Sequence, residues 1–285
     1  KTRVVNTFAD REGNLKLKLR LSDGAAIETV VLVDRKPGGF GVRKTLCVSS
    51  QVGCKMGCTF CKTGQLGFRR NLSTTEIVEQ LVAVRERFGD VSNIVFMGMG
   101  EPLLNAENVF AAIRIFAHPH GPSVALKRIT VSTCGIPTAI QRLASQQFVE
   151  SQPTARPRLA VSLVSAHEEL RAELMPGATS IAASGFDAEA ETPALSHASK
   201  GFLALEKALR HYLEETGRNL TFEFPLFRGI NDTEVESSAL CAFLDRLPRR
   251  ERVDVNLIPW NPVEDIPFSS PAPQAIHNFA KKLTE

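Results

Sequence analysis

The chain has 285 residues, 43% of them hydrophobic, with 34 basic and 31 acidic side chains and a formal net charge of +3. Such a length buries one large core or two modest ones, and so mild a basic excess neither demands nor excludes a nucleic-acid partner. No apolar run approaches the roughly 18 to 20 residues that a bilayer span needs, and no secretory signal opens the chain, so no membrane partner is expected. Six cysteines, three of them tightly grouped, do not form the even framework of a small secreted domain. A reducing compartment fits, cytoplasmic or, in a eukaryote, an organellar matrix or stroma. Lys1 in place of Met, and a helical pattern running to Glu285 without a stop signal, read as a trimmed piece of a longer protein. A monomer is the default.

Residues 1 to 40 alternate polar and apolar, as in Leu15, Leu17, Leu19 and Leu21 and again in AIETVVLV at 26 to 33. That period of two predicts half-buried antiparallel strands, a small β-rich lead-in closed by a turn at Pro37-Gly38-Gly39. The main domain, 41 to 285, alternates short strands with longer helices. Strands are expected at 45 to 49, 93 to 97, 128 to 132, 158 to 163, 219 to 226 and 253 to 258. Helices are expected at 74 to 88, 106 to 117, 136 to 145, 202 to 216, 233 to 246 and 272 to 283. Ser73 with Glu76 forms a capping-box pattern at the first of these. Six strand-helix units imply an α/β fold with a parallel sheet and right-handed crossovers, whether a barrel, a partial barrel or a doubly wound sheet. The stretch 175 to 199 is rich in Ala, Ser and Gly without periodicity and reads as a long surface loop.

The segment from Thr45 to Phe68, TLCVSSQVGCKMGCTFCKTGQLGF, carries Cys54, Cys58 and Cys61 in C-x3-C-x2-C spacing. Three thiolates this close surround one metal centre without completing a four-cysteine shell, which points to a cluster with one iron left open. A zinc site that borrows a distant ligand, or three unrelated buried cysteines, are the other readings. Gly98, Gly100 and Glu101 follow a predicted strand; glycines there let the backbone approach a ligand, and a carboxylate suits an ammonium group. A structural turn accounts for the same pattern. The basic groups Arg69 and Arg70, Lys127 and Arg128, and Arg249, Arg250 and Arg252 are each candidates for phosphate contact or for a solvated face.

C-x3-C-x2-C with Phe60 before the last cysteine resembles the signature of the radical S-adenosylmethionine (SAM) enzymes. The string TLCVSSQVGC, then GFRRNL at 67 to 72, MGMGEPLLN at 97 to 105, KRITVSTCG at 127 to 135 and NLIPWNP at 256 to 262, resembles the RlmN/Cfr family of RNA adenosine methyltransferases. The resemblance runs from Ile27 to the last residue. It implies a partial (β/α)6 barrel whose strand ends converge on one mouth. It also implies a [4Fe-4S] cluster on Cys54, Cys58 and Cys61, and S-adenosyl-L-methionine held by Gly100, Glu101, Ser132, Ser162, Leu163, Val164 and Asn261.

By the same resemblance Cys47 is the thiol that helps resolve a covalent RNA adduct, and Glu28 matches a proton acceptor. Read by themselves, Cys47 is a small hydrophobe ending a buried strand and Glu28 a solvated acid on an edge strand. Two positions depart from the family pattern. Cys134 stands where S-T-S-G is expected, and Val164 where S-L-H is expected; His167 reads as a helix-start histidine.

The implied reaction is methylation of carbon 2 of adenosine in 23S ribosomal RNA, with tRNA as a second substrate and flavodoxin or ferredoxin as electron donor. A glycine-rich tail with a methyl-carrying cysteine, which the family places beyond its last helix, is not in this sequence. The chain as given is therefore expected to bind cluster and SAM and to fall short of methyl transfer by that route. Cys241, in SSALCAFLDRL, reads as helix core. Two further readings are a radical SAM enzyme of the same scaffold with another substrate, and a non-catalytic RNA- or metal-binding relative.

Overall fold

The computed structural model describes residues 1–35, 41–178, 180 and 197–285. The Pro37-Gly38-Gly39 turn lies outside these residues, as do 179 and 181–196 of the expected loop. The chain divides into two compact units, Lys1–Lys55 with Leu66–Ser132 and Gln146–Arg158, and Met56–Gln65 with Thr133–Ser145 and Leu159–Glu285.

In the first unit, alternating leucines build an antiparallel meander of β1 (Arg3–Ala9), β2 (Leu15–Arg20) and β3 (Ala26–Arg35). Leu17 and Leu19 are wholly buried while the intervening lysines face solvent, as a period of two requires. Next comes β4 (Val42–Cys47), antiparallel to β3. A small antiparallel pair, β5 (Gln51–Gly53) and β6 (Phe68–Asn71), follows. The capping box of Ser73 and Glu76 forms and opens α2 (Thr74–Phe88), α1 being the single turn Lys62–Gln65 of the other unit. β7 (Asn93–Phe96), α3 (Ala106–Ala117) and β8 (Ile129–Thr133) complete the pattern, and β4, β7 and β8 pair in parallel.

The parallel register explains which side chains face the core. Leu46, Ile94 and Ile129 stand in one row at 0% exposure. On α2 and α3, which pack against each other, Ile77, Val84, Val109, Ile113 and Phe116 are also fully buried. Each such burial contributes about 1.5–3 kcal/mol, so these rows hold the strand ends in place. The next row, Cys47, Val95 and Thr130, necessarily faces the other side of the sheet.

The second unit holds α4 (Pro137–Ser145), β9 (Arg158–Ser162, from Leu159 onward), α5 (Glu168–Leu174), α6 (His197–Thr216), β10 (Leu220–Leu226), α7 (Glu234–Asp245), β11 (Val253–Pro259) and α8 (Pro273–Thr284). β10 lies between β9 and β11 and is parallel to both. Tyr212, Phe222 and Phe243 are buried, with Phe243 stacked at 5.0 Å on Phe202 and 5.7 Å on Phe222. The fold is thus α/β with parallel strands and intervening helices. The expected loop to residue 199 ends sooner, because the chain is already helical at His197.

Candidate active site

In the first unit, Cys47 ends β4 opposite Val30 of β3. Glu28 lies two residues from Val30 on the same face, so Glu28 and Cys47 are diagonal cross-strand neighbours, about 7–8 Å apart. β3 runs between β2 and β4, so Glu28 is on an interior strand and not an edge strand. Its carboxylate still meets solvent: the side chain is 45% exposed and Oε1 lies 3.3 Å from Lys16 Nζ. A pair this open contributes at most about 1 kcal/mol. Burial pushes the Cys47 thiol up to about 11, with a backbone hydrogen bond at Met97 pulling the other way. The thiol is therefore protonated at neutral pH. Native Cys47 is expected to be alkylated by iodoacetamide half-maximally near pH 11, against 9.0 for an ordinary thiol. Peptide mapping that finds Cys47 labelled as fast in the native as in the unfolded chain at pH 8 would contradict this.

The turn after β4 is held by a buried polar network. Gln80 receives the Ser49 N–H at 2.8 Å and donates to the Ser49 carbonyl at 2.9 Å. Asn105 donates to the carbonyls of Ser50 and Leu72, both at 2.8 Å. The M-G-M-G-E turn after β7 lies against this backbone. Met99 O accepts the Ser50 N–H at 2.8 Å, and a Cβ on Gly98 would fall 2.7 Å from Val48 O. Gly100, at φ +100, would place one 2.5 Å from Gln51 Cβ. These glycines serve close packing within the chain. Glu101, 2% exposed, caps the 3-10 turn Pro102–Asn105 by accepting the Leu103 N–H at 2.9 Å, while its own N–H donates to Gln51 Oε1 at 2.9 Å. Ser132 is half-buried at the end of β8, two residues beyond Thr130 on the same face.

Cys54 follows β5, its N–H donating to Gly67 O at 2.9 Å. The GFRRNL string finds its role here, because it is β6, the partner of β5. Arg70 is committed to Asp23 at 2.9 Å and to Glu76 at 2.8 Å, and its guanidinium holds the Glu76 carboxyl below the usual carboxylate range. Its expected candidacy for phosphate contact is met by these carboxylates instead.

In the second unit the Cys58–Cys61 turn is anchored from several sides. The Cys61 N–H donates to Cys58 O at 3.1 Å, the Thr59 N–H to Leu174 O at 3.0 Å and the Gly177 N–H to Met56 O at 2.9 Å. Phe60 stacks at 5.2 Å on Phe227, which follows β10, and at 6.3 Å on Trp260, which follows β11. The aromatic before the last cysteine thus works as an anchor on the strand ends. Arg171, 3% exposed, donates to the Cys134 carbonyl at 2.5 Å. Burial pulls its guanidinium down, while the neighbouring thiols of Cys134 and Cys58 support the charge.

Ser162, Leu163 and Val164 leave β9. Val164 is fully buried at φ 67, and the Ser165 N–H donates to Leu163 O at 2.8 Å, so the valine sits at the centre of a three-residue turn that a β-branched residue rarely adopts. Such backbone persists only where its surroundings over-determine it. Asn231 donates to the carbonyls of Val164 and Pro225, both at 2.7 Å, and accepts the Phe227 N–H at 2.7 Å. Ser165 Oγ lies 2.9 Å from Glu236 Oε2. Burial pushes the Glu236 carboxyl up, with the Ser165 bond and His167 pulling back. His167 begins α5 and is 43% exposed, with Nε2 3.7 Å from Glu236. Asn261 is exposed beyond β11. Asn231, Glu236 and Arg171 went unread in the sequence, where nothing separates them from ordinary turn and helix residues.

Among the described residues no three His, Cys, Asp or Glu side chains form a group that could hold a metal ion as they stand. The fit of a cluster therefore rests on the donor set: three cysteine side chains within eight residues, none of them in a disulfide, on backbone that turns at Gly53 (φ +78) and Gly57 (φ +62). That set suits an iron-sulfur cluster with one open iron.

Residues 48–241 match the Radical SAM superfamily. The chain is 42% identical over 99% of its length, and 73% of the relative's, to "Probable dual-specificity RNA methyltransferase RlmN" of Treponema pallidum. It is 39% identical over 95% of its length, and 70% of the relative's, to "Dual-specificity RNA methyltransferase RlmN" of Syntrophobacter fumaroxidans. Among solved structures it is similar to a radical SAM methyltransferase from Sphaerobacter thermophilus, at 36% identity and a TM-score of 0.82 over 99% of this chain and 74% of that one.

Proposed function

We propose a function from one premise: the chain belongs to the RlmN family within the radical SAM superfamily. It is a radical SAM RNA methyltransferase that methylates carbon 2 of adenosine, with 23S ribosomal RNA as substrate and tRNA as a second one. The observation that carries the reading is the placement of the family motifs. Cys47 ends β4, M-G-M-G-E follows β7, Ser132 is the next-to-last residue of β8, Ser162 closes β9 and Asn261 follows β11. In α/β folds ligands meet the carboxyl ends of the strands, and every one of these motifs is at such an end.

Cys54, Cys58 and Cys61 hold a [4Fe-4S] cluster, and Gly100, Glu101, Ser132, Ser162, Leu163, Val164 and Asn261 bind S-adenosyl-L-methionine. When bound and reduced by a flavodoxin- or ferredoxin-type donor, the pair supplies a 5'-deoxyadenosyl radical. The chain's own part is to position the reacting groups, to supply a thiol and to take up a proton. Cys47, neutral at pH 7, serves as the thiol that resolves the RNA adduct, and Glu28, on the same face, accepts the proton. Asn231 and the Ser165–Glu236 contact keep the Val164 turn in its strained form, so that its backbone meets the cofactor where family members carry a histidine. That exchange is the observation favouring a second reading, a different substrate on the same scaffold.

Nucleoside mass spectrometry of 23S rRNA and tRNA from cells lacking the gene separates the two. Loss of 2-methyladenosine, restored by the wild-type gene and not by Cys47→Ala, is the expected result. Unchanged 2-methyladenosine in both RNAs would move the assignment to the second reading.

A further inference from the structure

The basic pairs singled out in the sequence have different fates. Arg70 is bound by two carboxylates, and Arg250 turns back to donate to Val253 O at 2.9 Å. Lys127 and Arg128, just before β8, instead open onto a cavity of about 420 Å³ in the first unit. Arg43 of β4 and Arg158 join them in its wall, with Thr45 and Thr130 beside them and no carboxylate among the lining residues. All four cations are exposed, and among the described residues none of them makes an ion pair or a side-chain hydrogen bond. Asp34, opposite Arg43 across β3 and β4, forms no ion pair with it.

Four positive groups around one concavity repel each other, and the low-dielectric wall focuses their field outward. A multiply charged oxyanion relieves that repulsion. Three guanidinium forks match tetrahedral phosphate oxygens two at a time, and the Thr45 and Thr130 hydroxyls offer further donors. We infer that this cavity is a phosphate-binding site, occupied either by a phosphodiester of an RNA or by a free anion such as pyrophosphate. It is distinct from the chemistry at the strand ends. Arg43 precedes Cys47 by four residues on the same face, about 13 Å along the strand, and Lys127 and Arg128 enter β8 from its amino end. The site therefore stands whether or not the RNA methylation reading does.

The test compares the full chain with an Arg128→Ser/Arg158→Ser variant and a control of equal charge change, Arg3→Ser/Arg11→Ser, whose residues are exposed elsewhere in the same unit. Circular dichroism checks folding, and Arg43→Gln/Lys127→Gln replaces the cavity variant if it melts early. Calorimetry with pyrophosphate at low salt should give one site per chain, weakened at least about tenfold in the cavity variant only. Fluorescence anisotropy with a single-stranded RNA, repeated across salt concentrations, is the second arm. If a phosphodiester is the occupant, the slope of log K against log salt becomes shallower by about 1.4 in the cavity variant, at ~0.7 per contact. Loss of pyrophosphate binding with an unchanged RNA slope identifies a free anion as the occupant. Equal losses in cavity and control variants, no loss in either, or no binding by the wild type in both arms overturns the site. Neither arm reads methylation, so failure here and failure of the proposed activity are told apart.

Discussion

Gly53→Ala is expected to destabilise the chain by about 3 kcal/mol or more, the sum of an overpacked contact and a strained backbone. Gly53 has φ +78, and a Cβ built on it would fall 1.8 Å from Gly67 O and 3.3 Å from Phe68 Cα. Both neighbours are backbone, and Gly67 O already accepts the Cys54 N–H, so relief requires β5 and β6 to part. Gly24 is the control. It has a similar φ of +84 but nothing within 4 Å of its Cβ, so Gly24→Ala carries the conformational term alone, about 1 kcal/mol. Urea unfolding of the two variants decides the matter, since equal losses would show that backbone conformation and not the clash sets the cost. Because Gly53 directly precedes Cys54, the damaged variant is also expected to take up iron and sulfide poorly at temperatures where it remains folded.

The second large effect concerns the cysteines. Cys58→Ser should abolish cluster uptake on anaerobic reconstitution, read as loss of the visible charge-transfer absorption and of SAM cleavage under reductant. The loss should exceed the roughly 10- to 100-fold typical of removing a partner behind a metal ligand. Cys241→Ser provides the contrast. Cys241 lies in α7 with Sγ 3.6 Å from Lys282 O, so its replacement should leave absorption and cleavage at the wild-type level. A Cys58→Ser protein that still binds four irons and cleaves SAM would overturn the donor set proposed here, and equal loss in both variants would point to general instability of the second unit.

These outcomes hang on features of different visibility. The alternation at Leu15 to Leu21, the capping box at Ser73 and the six strand-helix units were legible because periodicity and capping are local, and α2 and α3 begin and end where the pattern places them. The small β5–β6 pair and the short α5 were not, since β5 is three residues long and its partner lies across the cysteine loop. The role of Arg70 was similarly hidden: its two carboxylates come from a turn 47 residues before it and from the helix that follows.

For the candidate site the division is sharper. Residue type and short spacing alone made legible the three grouped cysteines, the glycine punctuation, the strand ends at which the motifs fall and the family to which they belong. What those residues touch became visible in the folded chain. It made Gly98 and Gly100 close-packing glycines, Glu101 a buried cap, Phe60 an anchor on Phe227 and Trp260, and Val164 a strained turn held by Asn231. It also raised the Cys47 thiol and gathered Arg43, Lys127, Arg128 and Arg158 around one cavity. The physical reason is common to all of them: burial, strain and field depend on atoms brought together from distant parts of the chain, and no local pattern records which atoms those will be.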